Sequence, residues 1–177
     1  MPQAPITSKS LQPTVAASIV AVGGIAAIAI VYFYQYVIGL RPCTLCLEQR
    51  IPYYVAIPLA LVVAVLAARG APRGLVRLGL AALILAMLIG AGLGAYHAGI
   101  EWKWWPGPTD CTGDIASFGS AGTLLNQIQK TSIVRCDEAA WRFLGLSFAG
   151  YNVLSSLTLT AIAALGLYGS SSVSQYK

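Results

Sequence analysis

Four long runs of apolar residues dominate what this chain of 177 residues can fold into. They cover about residues 14–40, 51–68, 78–97 and 148–168. A helix needs roughly 17–25 such residues to cross the hydrocarbon of a bilayer. Only 10% of the residues are charged, whereas a soluble domain carries about 25%. The pattern predicts an all-α integral membrane protein, in which residues 1–177 form a single domain built as a four-helix transmembrane bundle.

The first run has a competing interpretation as a secretory signal peptide. The apolar core of such a peptide is about 7–15 residues long and is followed by a cleavage site of small residues. The run here is much longer and ends in the aromatic cluster Tyr32, Phe33, Tyr34 and Tyr36, which suits a membrane–water interface. We therefore predict a helix that is retained in the protein.

The orientation of the bundle is indicated by the connection between the second and third runs. This short segment contains Arg69, Arg73 and Arg77 and no acidic residue. Basic residues in short loops favour the cytoplasmic side, so we predict that both termini are cytoplasmic as well. All four cysteines then fall on the outer side, in the oxidising compartment where disulfides persist.

A long polar segment, residues 99–147, joins the third and fourth runs and is predicted to be a loop on the outer side. It begins with a stretch rich in tryptophan and proline. Leu124, Leu125 and Ile128 follow at helical spacing within Ala121–Val134. This stripe predicts a short amphipathic helix that lies on the membrane, although a solvated helix fits the same pattern.

The four cysteines are Cys43, Cys46, Cys111 and Cys136, and none lies within an apolar run. A Cys-x-x-Cys pair such as Cys43 and Cys46 forms a labile disulfide and tends to contain a thiolate of low pKa. Structural disulfides and a zinc site are the alternatives. A zinc ribbon normally pairs one Cys-x-x-Cys with another, whereas Cys111 and Cys136 are 25 positions apart. The spacing therefore favours redox chemistry and predicts no metal.

Two further side chains are candidates for the site. If the chain is helical from Cys46, then Arg50 shares its face, and both the guanidinium and the helix N-terminus would favour a Cys46 thiolate. Pro52 argues against so early a helix start, and Arg50 could instead extend to the lipid headgroups. His97 is the one histidine and is a candidate because histidine titrates near neutral pH, although a lone histidine at an interface is more often an ordinary hydrogen-bonded side chain.

The net charge of +5 does not indicate a nucleic-acid-binding protein. Such a protein carries a basic stripe or patch on one face. The lysines and arginines here lie outside the apolar runs instead and form no stripe with aromatic residues.

The chain resembles the family of disulfide bond formation protein B, DsbB. The matching motifs are Arg41-Pro-Cys-Thr-Leu-Cys46 with Arg50, Tyr96-His97 at the end of the third run, and Cys136-x4-Trp141-x-Phe-Leu-Gly145 before the fourth. Together with Cys111 after its proline-rich stretch, they cover residues 14–168 in order. Gln49, where some members carry Glu, is a small departure.

The resemblance implies a bacterial inner-membrane enzyme that reoxidises a periplasmic, thioredoxin-fold oxidase of the DsbA kind. In this family the cysteines matching Cys111 and Cys136 form the disulfide that the partner attacks. Cys111 would form the mixed disulfide, and Cys136 would then pair with Cys43 and free Cys46. The Cys46 thiolate would form a charge-transfer or covalent adduct with ubiquinone or menaquinone, and Arg50 and His97 would line the quinone site. Its other partners would be quinone and membrane lipid, and it would bind no nucleic acid.

Two other functions remain open at this point. Enzymes like vitamin K epoxide reductase share four helices, a Cys-x-x-Cys and a quinone, but their Cys-x-x-Cys comes after the loop cysteines, whereas here it comes first. The other alternative is a non-catalytic membrane scaffold, in which the same cysteines would form structural disulfides or hold zinc and would not turn over.

Overall fold

A computed structural model describes residues 11–108 and 135–172. Four helices in it are long and apolar enough to cross a membrane, which confirms the predicted fold class. A five-residue helix precedes the second of them. In chain order the helices are α1 (Pro13–Tyr36), α2 (Thr44–Glu48), α3 (Ile51–Ala68), α4 (Arg73–Glu101) and α5 (Phe148–Ser172).

The helix ends differ from the apolar runs at several points. Helix α1 ends four residues earlier than predicted, because Gly39 adopts a left-handed conformation (φ +81°) and closes the helix end. Helix α4 is longer than the predicted run at both ends. Hydropathy marks only the part of a helix that suits lipid, whereas backbone hydrogen bonds continue into charged flanks such as Arg77 and Glu101. Pro52 lies in the first turn of α3, where its missing N–H costs nothing, and the chain is not helical at residues 49–50.

The four long helices form a ring. Helix α1 packs against α3 and α5, and α4 packs against the same two helices from the other side. Small residues make these interfaces close, including the buried Ala16, Ala17 and Ala21 of α1. Large apolar side chains such as Val22 and Leu78 are exposed on the outside. This arrangement is expected where helices associate in lipid by close packing, and it describes a multi-pass membrane protein.

The segment before α5 contains a small hairpin that the sequence analysis did not predict. Strand β1 (Arg142–Phe143) pairs antiparallel with β2 (Leu146–Ser147). The two residues between them, Leu144 and Gly145, both have positive φ, 49° and 83°, as a type I′ turn requires. The amphipathic helix predicted for residues 121–134 lies outside the described residues.

The approach of α1 and α5 yields a stability prediction. A Cβ added to Gly166 of α5 would lie 2.5 Å from the Cβ of Ala16, whereas one added to Gly92 of α4 would meet nothing within 4 Å. We expect Gly166→Ala to destabilise the bundle by about 1–3 kcal/mol through overpacking. The matched control Gly92→Ala should leave stability unchanged or raise it by up to about 1 kcal/mol. Thermal unfolding in detergent measures both, and equal midpoints would contradict the assigned interface.

Candidate active site

One end of the bundle contains most of the side chains that the sequence analysis selected. Cys43 and Cys46 lie at the start of α2, Arg50 at the start of α3 and His97 near the end of α4. Cys136 lies in the segment that precedes the hairpin and contacts this group. Cys111 lies outside the described residues. Five of the six predicted site residues are therefore close to one another.

Helix α2 begins at the Cys-x-x-Cys pair and positions its two sulfurs. Cys43 is the N-cap of α2, and its sulfur accepts the backbone N–H of Cys46 at 3.3 Å. The two sulfurs lie 2.8 Å apart and both cysteines are free. Cys43 is buried, and Cys46 is partly exposed. The pair is thus a reduced dithiol whose sulfurs are close enough to share a proton.

The preferred thiolate of this dithiol is Cys43. The hydrogen bond between the two sulfurs, together with hydrogen bonds to His97 and to the backbone at Cys46, lowers the pKa of Cys43 from 9.0 to about 4 although burial opposes the shift. The sequence analysis favoured a thiolate at Cys46 instead. The difference arises because the Cys43 sulfur has hydrogen bonds with the Cys46 side chain, with His97 and with the backbone N–H that it caps, while the Arg50 guanidinium points toward Gln35.

Cys136 is disulfide-bonded and almost completely buried. Its sulfur, the sulfur of Cys43 and a ring nitrogen of His97 all lie within 4.8 Å of one another. Three such donors resemble part of a metal site, but a sulfur in a disulfide is not a thiolate ligand. The geometry suits thiol–disulfide exchange, in which one sulfur attacks its neighbour.

The segment that carries Cys136 is held at both ends. Asp137 forms ion pairs with Arg135 (2.8 Å) and Lys103 (2.7 Å), and hydrogen bonds from these two side chains lower the pKa of Asp137. Trp141 stacks on Phe148 with 4.8 Å between ring centroids and contacts Tyr34 of α1 at 5.2 Å. The spacing Cys-x4-Trp-x-Phe-Leu-Gly therefore encodes a fixed sulfur, an aromatic anchor and a tight turn.

An apolar cavity of about 430 Å³ opens beside the cysteine pair. It lies between α1, α3 and α5, and the segment around Trp141 closes one side. Cys46, Gln49 and Arg50 line it together with aromatic and aliphatic side chains, and none of the described residues that line it is acidic. Its volume is within the roughly 300–1,000 Å³ of small-molecule sites.

Arg50 is buried with only 6% of its surface exposed, so it does not extend into a headgroup layer. One of its terminal nitrogens donates to Gln35 Oε1 at 2.8 Å, and the guanidinium lies 5.2 Å from the ring centroid of Tyr32. Its Nε has no hydrogen-bond partner. A buried donor without a partner is costly, and this one belongs to a residue that lines the cavity.

His97 does not line the cavity, in contrast to the expectation from the resemblance. Its ring lies behind the cysteine pair, with Nε2 3.8 Å from the Cys43 sulfur and 3.2 Å from the carbonyl oxygen of Cys136. Gln49 connects it to the cavity through a 2.6 Å contact with Nδ1. The sequence analysis treated Gln49 as a minor departure, although an amide just before a membrane-spanning helix was a signal for a buried polar contact.

Comparison with known proteins gives a consistent result. Residues 13–166 match the family model described as Disulfide bond formation protein DsbB. Disulfide bond formation protein B of Polaromonas sp. (strain JS666) is 32% identical over 154 residues, which cover 85% of this chain and 86% of that protein. The protein of the same name from Aromatoleum aromaticum is 30% identical over 137 residues, covering 75% and 78%. No solved structure gives a significant match.

The hydrogen bond between the two sulfurs predicts how Cys43 titrates. In the protein with Cys43 and Cys46 reduced, the ultraviolet absorbance of the thiolate should be lost as the pH falls through about 4. Because folding lowers this pKa from 9.0, the thiolate contributes stability that is fully present above about pH 9 and is lost as the pH falls through the folded value. We expect Cys46→Ala to move the transition to higher pH, because it removes the largest cause of the shift.

Cys43→Ser is the control for this titration and should abolish the transition. A transition at the same pH in Cys46→Ala and in the parent protein would show that the contact between the sulfurs does not determine the pKa.

Proposed function

The chain belongs to the DsbB family of membrane disulfide bond formation proteins, and on this basis we propose that it oxidises a periplasmic, thioredoxin-fold oxidase of the DsbA kind and passes the electrons to a quinone. The family implies thiol–disulfide oxidoreductase chemistry, which a scaffold would lack. The family match and the position of the Cys-x-x-Cys before the loop cysteines distinguish the chain from vitamin K epoxide reductase-like enzymes. The partner and the acceptor are inferred from the site, as follows.

The first half of the proposed reaction is disulfide exchange. A thiolate of the reduced partner attacks Cys111 and releases Cys136 as a thiolate. Cys136 then attacks the sulfur of Cys43 in an oxidised Cys43–Cys46 pair, so that a Cys43–Cys136 disulfide forms and Cys46 leaves as a thiolate. The second partner thiolate resolves the mixed disulfide and releases Cys111 as a thiolate. Cys111 then attacks Cys136, which re-forms their disulfide and releases Cys43 as a thiolate. Two electrons have then moved from the partner to Cys43 and Cys46.

The redox state of the structure corresponds to the end of this exchange. Cys43 and Cys46 are free, while Cys136 is disulfide-bonded. The proximity of the Cys43 and Cys136 sulfurs, within 4.8 Å, supports a direct transfer between residues that are 93 positions apart in the sequence. From this state the pair needs only an acceptor for two electrons and for the one proton that it still holds.

The residues that line the cavity fit a quinone in that role. Cys43 and Cys46 would close to a disulfide and release two electrons and the one proton that the pair still holds, because Cys43 is already a thiolate. A bound quinone would take these electrons, and solvent would supply the second proton of the quinol. The aromatic and aliphatic lining suits an apolar ring, and Cys46 brings its sulfur to the cavity wall. The buried guanidinium of Arg50 carries a positive charge, and its Nε has no hydrogen-bond partner. It would stabilise negative charge that develops on an oxygen of the acceptor.

One observation carries the proposal more than any other. Cys46 contacts the sulfur of Cys43 on one side and lines the apolar cavity on the other. It is therefore the residue through which electrons from the buried sulfurs would reach a lipid-soluble acceptor. A lipid-soluble acceptor also explains why a thiol oxidase is embedded in a membrane.

We further propose that the cysteine end of the bundle faces the periplasm and that both termini face the cytoplasm of the bacterial inner membrane. The α3–α4 connection, with Arg69 and Arg73, lies at the opposite end of the bundle from α2. Basic residues in such a short connection favour the cytoplasm, which leaves the cysteines in the compartment where disulfides persist.

The role of Cys46 predicts a complete loss of turnover in Cys46→Ser. Purified protein is mixed with a reduced thioredoxin-fold oxidase and a soluble quinone, and quinone absorbance is followed over time. Cys46→Ser should reduce no quinone, because the hydroxyl cannot form the disulfide that releases the electron pair. Turnover at the parent rate in this variant would refute the proposed electron path.

The role of Arg50 predicts a graded effect. We expect Arg50→Gln to lower kcat/KM for quinone by about 10- to 100-fold, since hydrogen bonds from charged groups contribute about 1.5–3 kcal/mol. Arg142→Gln is the matched control, because it removes an exposed arginine from the same end of the bundle that does not line the cavity. An equal loss in both variants would indicate general electrostatics rather than a specific contact.

A further inference from the structure

We propose that Gln49 is a positioning residue that holds His97 in the tautomer with its proton on Nε2. An N–H group is thereby directed at the junction of Cys43 and Cys136. The inference deepens the proposed function, since exchange between these two cysteines is part of it. The tautomer itself follows from hydrogen bonds that can be tested without any turnover.

The backbone carbonyl of Gly90 fixes the orientation of the neighbouring Asn152 amide. Gly90 O of α4 can only accept, and Asn152 Nδ2 donates to it at 3.1 Å. The opposite atom of this amide, Asn152 Oδ1, accepts from the hydroxyls of Tyr53 at 2.9 Å and Ser156 at 3.3 Å. The orientation of the Asn152 amide is therefore fixed by its surroundings on both sides.

The orientation of Asn152 in turn fixes that of Gln49. Asn152 Nδ2 donates to Gln49 Oε1 at 2.8 Å, so Gln49 Oε1 is the acceptor side of that amide. Gln49 Nε2 then faces His97 Nδ1 at 2.6 Å and the carbonyl oxygen of Leu45 at 3.4 Å. An amide nitrogen only donates. His97 Nδ1 must consequently be the acceptor and carries no proton.

The surroundings of the other ring nitrogen agree with this assignment. His97 Nε2 faces three groups that accept hydrogen bonds: the carbonyl oxygen of Cys136 at 3.2 Å, the Cys43 sulfur at 3.8 Å and Glu101 Oε1 at 3.9 Å. A neutral imidazole donates from one nitrogen and accepts at the other. With Nδ1 bound to a donor and Nε2 facing acceptors, the neutral ring with the proton on Nε2 satisfies every contact.

A proton on Nε2 has a direct consequence for the exchange step. Negative charge appears on Cys43 when its disulfide with Cys136 is attacked at the Cys136 sulfur, because Cys43 is then the leaving group. A hydrogen bond from a fixed donor stabilises such a thiolate. Gln49 itself touches neither sulfur in the contacts described. It acts through His97, and it also lines the cavity, so one side chain joins the sulfur junction to the site proposed for the acceptor.

The test uses the fact that His97 is the only histidine of the chain. The full-length protein is purified in detergent with a histidine-free tag, labelled with ¹⁵N-histidine, and studied with Cys43 and Cys46 reduced. The nitrogen resonances of a single ring then report the tautomer directly. We expect a protonated-type resonance for Nε2 and an unprotonated-type resonance for Nδ1. A protonated Nδ1, alone or together with Nε2, or an average of the two tautomers, would overturn the proposal.

Variants then test whether Gln49 is the cause. In Gln49→Glu the new carboxylate can only accept, so Nδ1 should acquire a proton and its resonance should move by tens of ppm. Asn152→Asp removes the donor that orients Gln49, and it should produce a mixture of tautomers without altering any atom next to His97. Glu48→Gln, the reverse exchange at the adjacent exposed position, should leave the spectrum unchanged.

The outcomes separate this inference from the proposed function. An unchanged His97 spectrum in both Gln49→Glu and Asn152→Asp would refute the role of Gln49, whatever the enzyme's turnover. The expected spectra in a protein that never reduces quinone would refute the proposed function and leave the role of Gln49 standing. Far-ultraviolet circular dichroism confirms that each variant is folded.

Discussion

Hydrogen bonds between side chains of different helices hold the cysteine end of this bundle in one arrangement, because lipid offers polar groups no other partner. Tyr53 of α3 contacts Asn152, Ser155 and Ser156 of α5 within 3.0 Å, and Asn152 continues the network to α4 and Gln49. Such contacts individually contribute on the order of 1 kcal/mol in membranes. Their combined effect is to fix the relative positions of three helices, which a purely apolar interface would leave freer to slide.

This network keeps the site of sulfur exchange apart from the cavity proposed for the electron acceptor, and Cys46 lies between the two. On one side, Cys43, His97 and Cys136 form a buried junction where a sulfur can attack its neighbour. On the other side, the cavity is open to an apolar molecule, and Cys46 is the only described cysteine that lines it. Since the junction is buried and the cavity is apolar, electrons would leave the thiols by way of Cys46. Because the two cysteines are one helical turn apart, Cys43 can lie in the junction while Cys46 lines the cavity.

The sequence was sufficient to predict the four spans and the grouping of the site, because hydropathy and cysteine spacing are local properties. It was insufficient for features that depend on how the helices and the connecting segments pack against one another. The thiolate falls on Cys43 rather than Cys46 because Cys43 has hydrogen bonds with the Cys46 side chain, with His97 and with the backbone N–H that it caps. His97 lies behind the pair instead of beside the cavity. The turn at Leu144 escaped prediction because a non-glycine residue with positive φ gives no local signal. Gln49 gained its importance only from contacts with α4 and α5.

The charge of Arg50 shows how the cavity differs from an ordinary packed interface. Burying a guanidinium costs several kcal/mol unless it is paired, yet the described residues that line the cavity include no carboxylate, and Gln35 contributes only a neutral oxygen. A structural role would be served equally well by an apolar side chain, without this cost. An arginine kept partly unsatisfied beside Cys46 makes physical sense where negative charge appears transiently on a molecule in the cavity. The reduction of an electron acceptor by the Cys43–Cys46 pair would be a reaction of that kind.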